Sequence, residues 1–84
     1  MDFATARHNM VESQIRTNKV RNLSLLDALD EVPREKFLPP ERRAIAYNDE
    51  DLPLGEGRFL MEPMVLSRLI QAAEVAEGDL VLDV

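Results

Sequence analysis

Few side chains in this 84-residue chain have the type and spacing to do chemistry. His8 is the sole histidine, and a general base needs a nucleophile or orienting carboxylate fixed beside it. No motif supplies one, so His8 is read as an ordinary helix-surface histidine. Ser13, Ser24 and Ser67 stand in no nucleophile elbow and are read as helix or cap residues. Asn48-Asp49-Glu50-Asp51 is the densest set of oxygen ligands. A calcium loop begun at Asp51 would end on Glu62, but Pro53 and Gly55 would then fall on ligand positions and Glu56 on the glycine position. The run is therefore read as a solvated acidic turn. Arg16-Thr17-Asn18-Lys19-Val20-Arg21 is basic but lacks an aromatic for base stacking, and positive charge is favoured at a helix C-terminus. Gly55-x-Gly57 lacks the strand-to-helix setting of a phosphate loop and is read as a turn. Met10, Met61 and Met64 are read as core filler, with Met61 the one to watch.

Composition narrows the classes further. A 9.6 kDa chain makes at most one small domain, and 45% hydrophobic residues place it among foldable sequences. With only 5% aromatic residues the core must be aliphatic, with Phe3, Phe37, Phe59 and Tyr47 as isolated large anchors. The net charge of −6 opposes a phosphate backbone, so no nucleic-acid partner is expected. Residues 1–36 carry six basic and six acidic side chains, residues 37–84 four and ten. Without cysteine there are no disulfides or thiolate sites, which fits a reducing cytoplasm. No apolar run approaches the roughly 20 residues of a membrane helix, and no membrane partner is expected.

The elements that would position any site follow from periodicity and punctuation. Residues 2–18 lack Pro and Gly, and Phe3, Met10, Val11 and Ile15 fall near helical spacing, with Arg7 and Gln14 on the same side. Asn22 is the expected N-cap of a second helix whose broad face of Leu23, Leu25, Leu26, Ala28, Leu29 and Val32 should centre the core, and Pro33 ends it. A short helix begins at Pro40, with Glu41 near its positive end, and stops at Asn48. Residues 52–60 are expected to form two short extended pieces around a glycine turn. A further helix starts at Pro63, with Leu66, Leu69, Ile70 and Ala73 on one face and Gly78 at its left-handed C-terminus. Leu80-Val81-Leu82-Asp83-Val84 has the unbroken apolar character of a strand buried on both faces of a parallel sheet. Such a strand requires neighbours, so the chain is expected to be a piece of a doubly wound domain.

Met10-Val11-Glu12-Ser13-Gln14-Ile15-Arg16, Val32-Pro33-Arg34-Glu35-Lys36-Phe37-Leu38-Pro39, Ala46-Tyr47 with Leu52-Pro53-Leu54-Gly55, Pro63, and Gly78-Asp79-Leu80-Val81-Leu82-Asp83-Val84 stand in a telling order and spacing. Together they resemble the N-terminal portion of protein-L-isoaspartate O-methyltransferases. The resemblance implies a mainly α N-terminal cap over residues 1–78, carrying a short β ribbon. Residues 79–84 would be the first strand of a Rossmann-like (class I methyltransferase) α/β domain, the remainder of which is absent. It implies S-adenosyl-L-methionine as cofactor, a protein or peptide substrate, and carboxyl methylation of isoaspartyl residues as a step of protein repair. Asp83 and Val84 would lead into the family's glycine-rich cofactor loop, which this chain lacks. No cofactor binding or catalysis is therefore expected of these 84 residues alone.

One departure bears on the acceptor. Where the family has a Gly-Gln-Thr-Ile-Ser-x-Pro loop whose hydroxyls are implied to serve the methyl acceptor, this chain reads Gly57-Arg58-Phe59-Leu60-Met61-Glu62-Pro63. Phe59 stands for Thr and Met61 for the Ser assigned the catalytic position, so neither hydroxyl is present to bond a carboxylate. Gly57 and Pro63 are kept, which implies a retained path with altered chemistry. Arg58 stands for Gln and is read as solvent-facing and paired with Glu56 or Glu62, the alternative being a carboxylate-binding fork. A different acceptor, or loss of the repair reaction, is the expectation for the full-length protein. The competing expectation is a freestanding helical interaction module that pairs or self-associates through residues 80–84.

Overall fold

The computed structural model describes residues 2–82. Helix α1 (Phe3–Met10) begins where the Asp2 carboxylate accepts the Thr5 N–H at 3.1 Å. It continues without a break into a π-helical turn (Val11–Ile15) and a 3-10 turn (Arg16–Asn18). The Ser13 and Thr17 hydroxyls each donate to the carbonyl four residues back, at 2.6 Å. Such back-bonding competes with the regular helical ladder and accompanies the change of pitch. Lys19, at φ 70°, closes the run. The apolar stripe read from the sequence packs as expected, with Met10, Val11 and Ile15 buried.

Asn22 caps α2 (Leu23–Glu31), its Oδ1 accepting the Leu25 N–H at 3.0 Å, and Val32 turns extended before Pro33. α2 is not the centre of the core. Leu26 alone is fully buried, Leu25 and Leu29 are partly so, and Leu23 and Val32 face outward. The core instead gathers on the π turn, where Val11 and Ile15 meet Val20, Leu38, Ala46 and Leu52. α2 contributes one edge of that cluster because only part of its broad apolar face is covered, by α1 and the π turn. The expected large anchors also divide. Tyr47 is buried and Phe3 packs partly, whereas Phe37 and Phe59 are 61% and 63% exposed. Phe37 ends a single 3-10 turn and Phe59 lies on the outer face of a two-stranded ribbon, and neither site has a second layer over it.

Two 3-10 turns, Arg34–Phe37 and Pro40–Ile45, lead to the ribbon of β1 (Leu52–Gly55) and β2 (Arg58–Leu60). Its antiparallel register pairs Leu52 with Leu60 and Pro53 with Phe59, with an irregularity before Gly55. The two turn residues, Glu56 and Gly57, both have positive φ, 53° and 75°, which matches the right-handed twist of a tight hairpin. Strand alternation sends Leu52 into the core and Phe59 outward. Arg42 donates to the Pro53 carbonyl and ties the ribbon to the preceding turn.

Helix α3 (Pro63–Ala73) starts at Pro63 as read from the sequence and packs on the π turn through buried Pro63 and Ser67. Gln71 joins it to the start of α2. Its Oε1 accepts the N–H groups of Arg21 and Asn22 at 2.7 and 3.0 Å, and its Nε2 donates to the Lys19 carbonyl at 2.9 Å. The expected end at Gly78 is corrected: α3 stops at Ala73, and Glu74 takes the left-handed position at φ 52°. Gly78, at φ 90°, serves a later turn in which Asp79 accepts the Ala76 N–H. The strand expected over 80–84 is likewise not formed among the described residues. Leu80–Leu82 join no sheet and stay exposed, since a strand needs a neighbour to take its backbone bonds. Asp83 and Val84 lie outside the described residues.

Candidate functional site

The segment 57–63 crosses from the hairpin turn through β2 into the first turn of α3. Its side chains and its backbone have opposite fates. Arg58, Phe59 and Met61 are exposed, while the backbone at 61–64 is gripped by side chains from two other segments. Arg34, only 8% exposed, donates from Nη2 to the Met61 carbonyl at 2.9 Å and from Nε to the Ala46 carbonyl at 2.7 Å. Asp51 accepts the Glu62 N–H at 2.7 Å, and Asp49 accepts the Met64 N–H at 3.4 Å. The Met61 C=O and the Glu62 N–H belong to one peptide unit, so that unit is held on one side by a guanidinium and on the other by a carboxylate.

The need for outside caps follows from the sequence. α3 has Glu62 at its N-cap and Pro63 at its first position, and the Glu62 side chain makes no capping bond. A helix start leaves orphan N–H groups and a partial positive charge, which Asp49 and Asp51 satisfy. The acidic turn is exposed, as read from the sequence, and two of its carboxylates also cap a helix that begins a dozen residues later. Crowding three carboxylates there has a consequence. Glu62 is pushed above the usual glutamate range, first by desolvation and then by its hydrogen bond to Asp49 and the charges of Asp49 and Asp51. Burial pulls the Arg34 guanidinium down, against the opposing charges of Tyr47, Asp49 and Asp51, yet guanidinium stays cationic in proteins.

The raised Glu62 value means that the folded state binds this proton more tightly than the unfolded chain. Its contribution to stability is greatest at low pH and is lost as pH rises through the raised value. Glu62→Gln is thus expected to be more stable than the wild type at pH 7, with the difference vanishing on acidification below the ordinary glutamate range. Denaturant midpoints measured across that range check this. A difference that instead grows as the pH falls would refute the crowding of charge.

Beneath the site lies a second polar cluster. Glu35, next to Arg34 and 5% exposed, accepts from Arg7 Nη2 at 2.9 Å and from the Tyr47 hydroxyl at 3.2 Å. Arg7 Nε also donates to the Tyr47 oxygen at 2.9 Å, and its Nη1 reaches the carbonyls of Asp30 and Glu31 at the end of α2. Bonding to Tyr47 first, and then to Glu35, raises the Arg7 pKa further. Two neighbouring charged residues on one 3-10 turn thus reach opposite ways, Glu35 toward α1 and Arg34 toward the loop. Beside them Leu29, Val32, Phe37, Leu60 and Leu66 line an open groove of about 310 Å³, with Arg34 in its wall.

The remaining sequence candidates are placed as follows. His8 sits on the helix surface, its Nδ1 3.0 Å from Asp30. Ser67 is buried and donates to the Pro63 carbonyl, and Ser13 bonds back along its helix, so neither is a free nucleophile. Among the described residues Arg58 forms no ion pair with Glu56 or Glu62. Met10 fills the core, whereas Met61 does not. Gly55 and Gly57 lie in the ribbon turn with open space around them. No group of three or more potential metal ligands occurs among the described residues, and no described helix is long and apolar enough to cross a membrane. Neither the bridging role of Arg34 nor the capping role of Asp49 and Asp51 follows from their local sequence. The available signal was a helix starting at Glu62-Pro63 without a Ser, Thr, Asp or Asn cap of its own.

A mainly helical unit with a two-stranded antiparallel ribbon is consistent with an N-terminal part of a methyltransferase domain. The sequence pattern of the protein-L-isoaspartate(D-aspartate) O-methyltransferase family matches residues 5–84. Protein-L-isoaspartate O-methyltransferase 2 of Anaeromyxobacter sp. (strain Fw109-5) is 40% identical over 80 residues, covering 95% of this chain and 33% of that protein. The protein-L-isoaspartate O-methyltransferase of Roseiflexus sp. (strain RS-1) is 37% identical over 84 residues, 100% of this chain and 38% of the relative. That of Aeropyrum pernix is 40% identical over 82 residues, 98% and 32% respectively. The chain belongs to the protein-L-isoaspartate O-methyltransferase family, and it spans about a third of the length of these curated relatives.

Proposed function

We propose that residues 1–78 form the acceptor-side cap of a carboxyl methyltransferase, with residues 79–84 opening its cofactor domain. The full-length protein would take its methyl group from S-adenosyl-L-methionine and act on a protein or peptide carboxylate. Family membership supports the reaction class. The acceptor is proposed to differ from the isoaspartyl group of the named relatives, and the observation that carries this is the surface of the loop. Arg58, Phe59 and Met61 present a cation and two apolar groups where the family motif offers an amide and two hydroxyls. An acceptor carboxylate would therefore meet a guanidinium and apolar contact instead of a hydroxyl donor. Asp83 and Val84 are proposed to lead to the cofactor, which the 84 residues alone would not bind. The absence of cysteine supports a cytoplasmic setting.

The test is to supply the full-length protein with methyl-labelled cofactor and peptides bearing aspartyl, isoaspartyl, glutamyl and C-terminal carboxylates. Label released by mild alkali, as a carboxyl methyl ester requires, is the expected result. Alkali-stable label, or none on any carboxylate, would contradict it. Exposed Leu80–Leu82 give the interaction-module reading its one support, as apolar backbone without a partner invites pairing.

A further inference from the structure

We propose that Arg34 is a positioning residue for methyl transfer, acting by fixing the peptide unit between Met61 and Glu62. The proposal rests on reading segment 57–63 as the methyl-acceptor loop. Arg34 is buried and spans two carbonyls, those of Ala46 and Met61, which lie 12 and 27 residues away along the chain. A planar guanidinium holds two acceptors in a fixed relative geometry, which a lysine ammonium on a flexible stem does not. The Met61 carbonyl stands at the junction where β2 ends and α3 has not begun, a point with no ladder or helical bond of its own. Asp51 holds the N–H of the same peptide unit at 2.7 Å. With both ends of that plane tied, the ψ of Met61 is set, and with it the direction in which residue 61 meets a substrate. The fixed base of the clamp is Ala46, fully buried in the core.

Methyl transfer is an in-line displacement, and a displacement of about 1 Å in a reacting group is worth on the order of 10²-fold in rate. In the full-length protein Arg34→Met is expected to lower kcat for the carboxylate acceptor by roughly 10- to 100-fold, with cofactor affinity unchanged. Arg34→Lys, which keeps the charge and one of the two bonds, is expected to recover part of the loss. Asp51→Ala removes the grip on the N–H side from an exposed residue, and provides a variant that does not disturb the core. It is expected to lower kcat in the same sense. All three should speed hydrogen exchange of the Glu62 amide.

Unchanged Glu62 exchange in Arg34→Met and Asp51→Ala would overturn the clamp. Faster exchange with unchanged kcat would overturn the positioning role, and the loop itself then separates two causes. If Phe59→Thr/Met61→Ser alters acceptor rates, Arg34 alone was wrongly assigned. If that variant also changes nothing, the acceptor-loop reading has failed with it. A fall in kcat that Arg34→Lys partly restores, at constant cofactor affinity, supports the proposal.

Discussion

Phe59→Thr together with Met61→Ser, made in the full-length protein, is expected to raise methyl transfer to an isoaspartyl peptide by on the order of 10²-fold. The two hydroxyls would restore donors that a carboxylate acceptor can use, and the effect of one well-placed donor in an active site is of that order. The backbone is ready to present them. Arg34, Asp51 and Asp49 hold residues 61–64 through main-chain atoms, so their grip is independent of which side chains the loop carries. Both positions are exposed, and neither Thr nor Ser leaves a cavity there. Threonine suits the β2 position of Phe59 as a strand former. Phe59→Ala/Met61→Ala separates the causes, because it removes the same bulk without adding donors. A gain in the hydroxyl variant alone assigns the effect to hydrogen bonding, while an equal gain in both assigns it to space.

Glu35→Leu is expected to cost about 3 kcal/mol of stability, because it strands a largely buried guanidinium and a buried phenol without their shared acceptor. For a chain of this size that corresponds to a fall in Tm on the order of 10 °C or more. Adding Arg7→Met should return much of the loss, since an unpaired buried charge is more costly than an apolar replacement. Tyr47→Phe removes one hydrogen-bonding hydroxyl and should cost about 1 kcal/mol. Thermal and denaturant unfolding of the wild type, Glu35→Leu, Arg7→Met, their double variant and Tyr47→Phe checks the set. An additive double variant, no more stable than Glu35→Leu, would show that Arg7 and Glu35 do not depend on each other.

What the sequence made legible was decided by neighbours within a turn or so. Asn22 as a cap, Pro33 as a stop, the hairpin about Glu56-Gly57 and the start at Pro63 all follow from local backbone chemistry, and each is found in place. The misplaced features depend on distant partners. Asp49 and Asp51 are exposed, as their sequence suggests, but their capping role appears only once α3 arrives uncapped beside them. Arg34 and Glu35 sit in a short charged run, Arg34-Glu35-Lys36, with no local signal for burial. Their burial depends on Ala46, Tyr47, Met61 and Arg7, between 12 and 28 residues away. α3 ends at Ala73 with Glu74 in the left-handed position, although a non-glycine residue is unfavourable there, and Gly78 answers to a separate turn. An apolar run such as Leu80–Leu82 fixes only a capacity for strand pairing, and pairing needs a second strand. The candidate loop divides the same way. Its altered side chains were readable from the family motif, while the clamp that holds its backbone was not.

The most direct measurement is kcat/KM of the full-length, unsubstituted protein on an isoaspartyl peptide, side by side with the Roseiflexus relative under one set of conditions. A value on the order of 10²-fold or more below the relative's is expected from a loop that keeps its path and has lost its hydroxyls. Equal values would contradict the altered-acceptor reading and return Phe59 and Met61 to neutral variation.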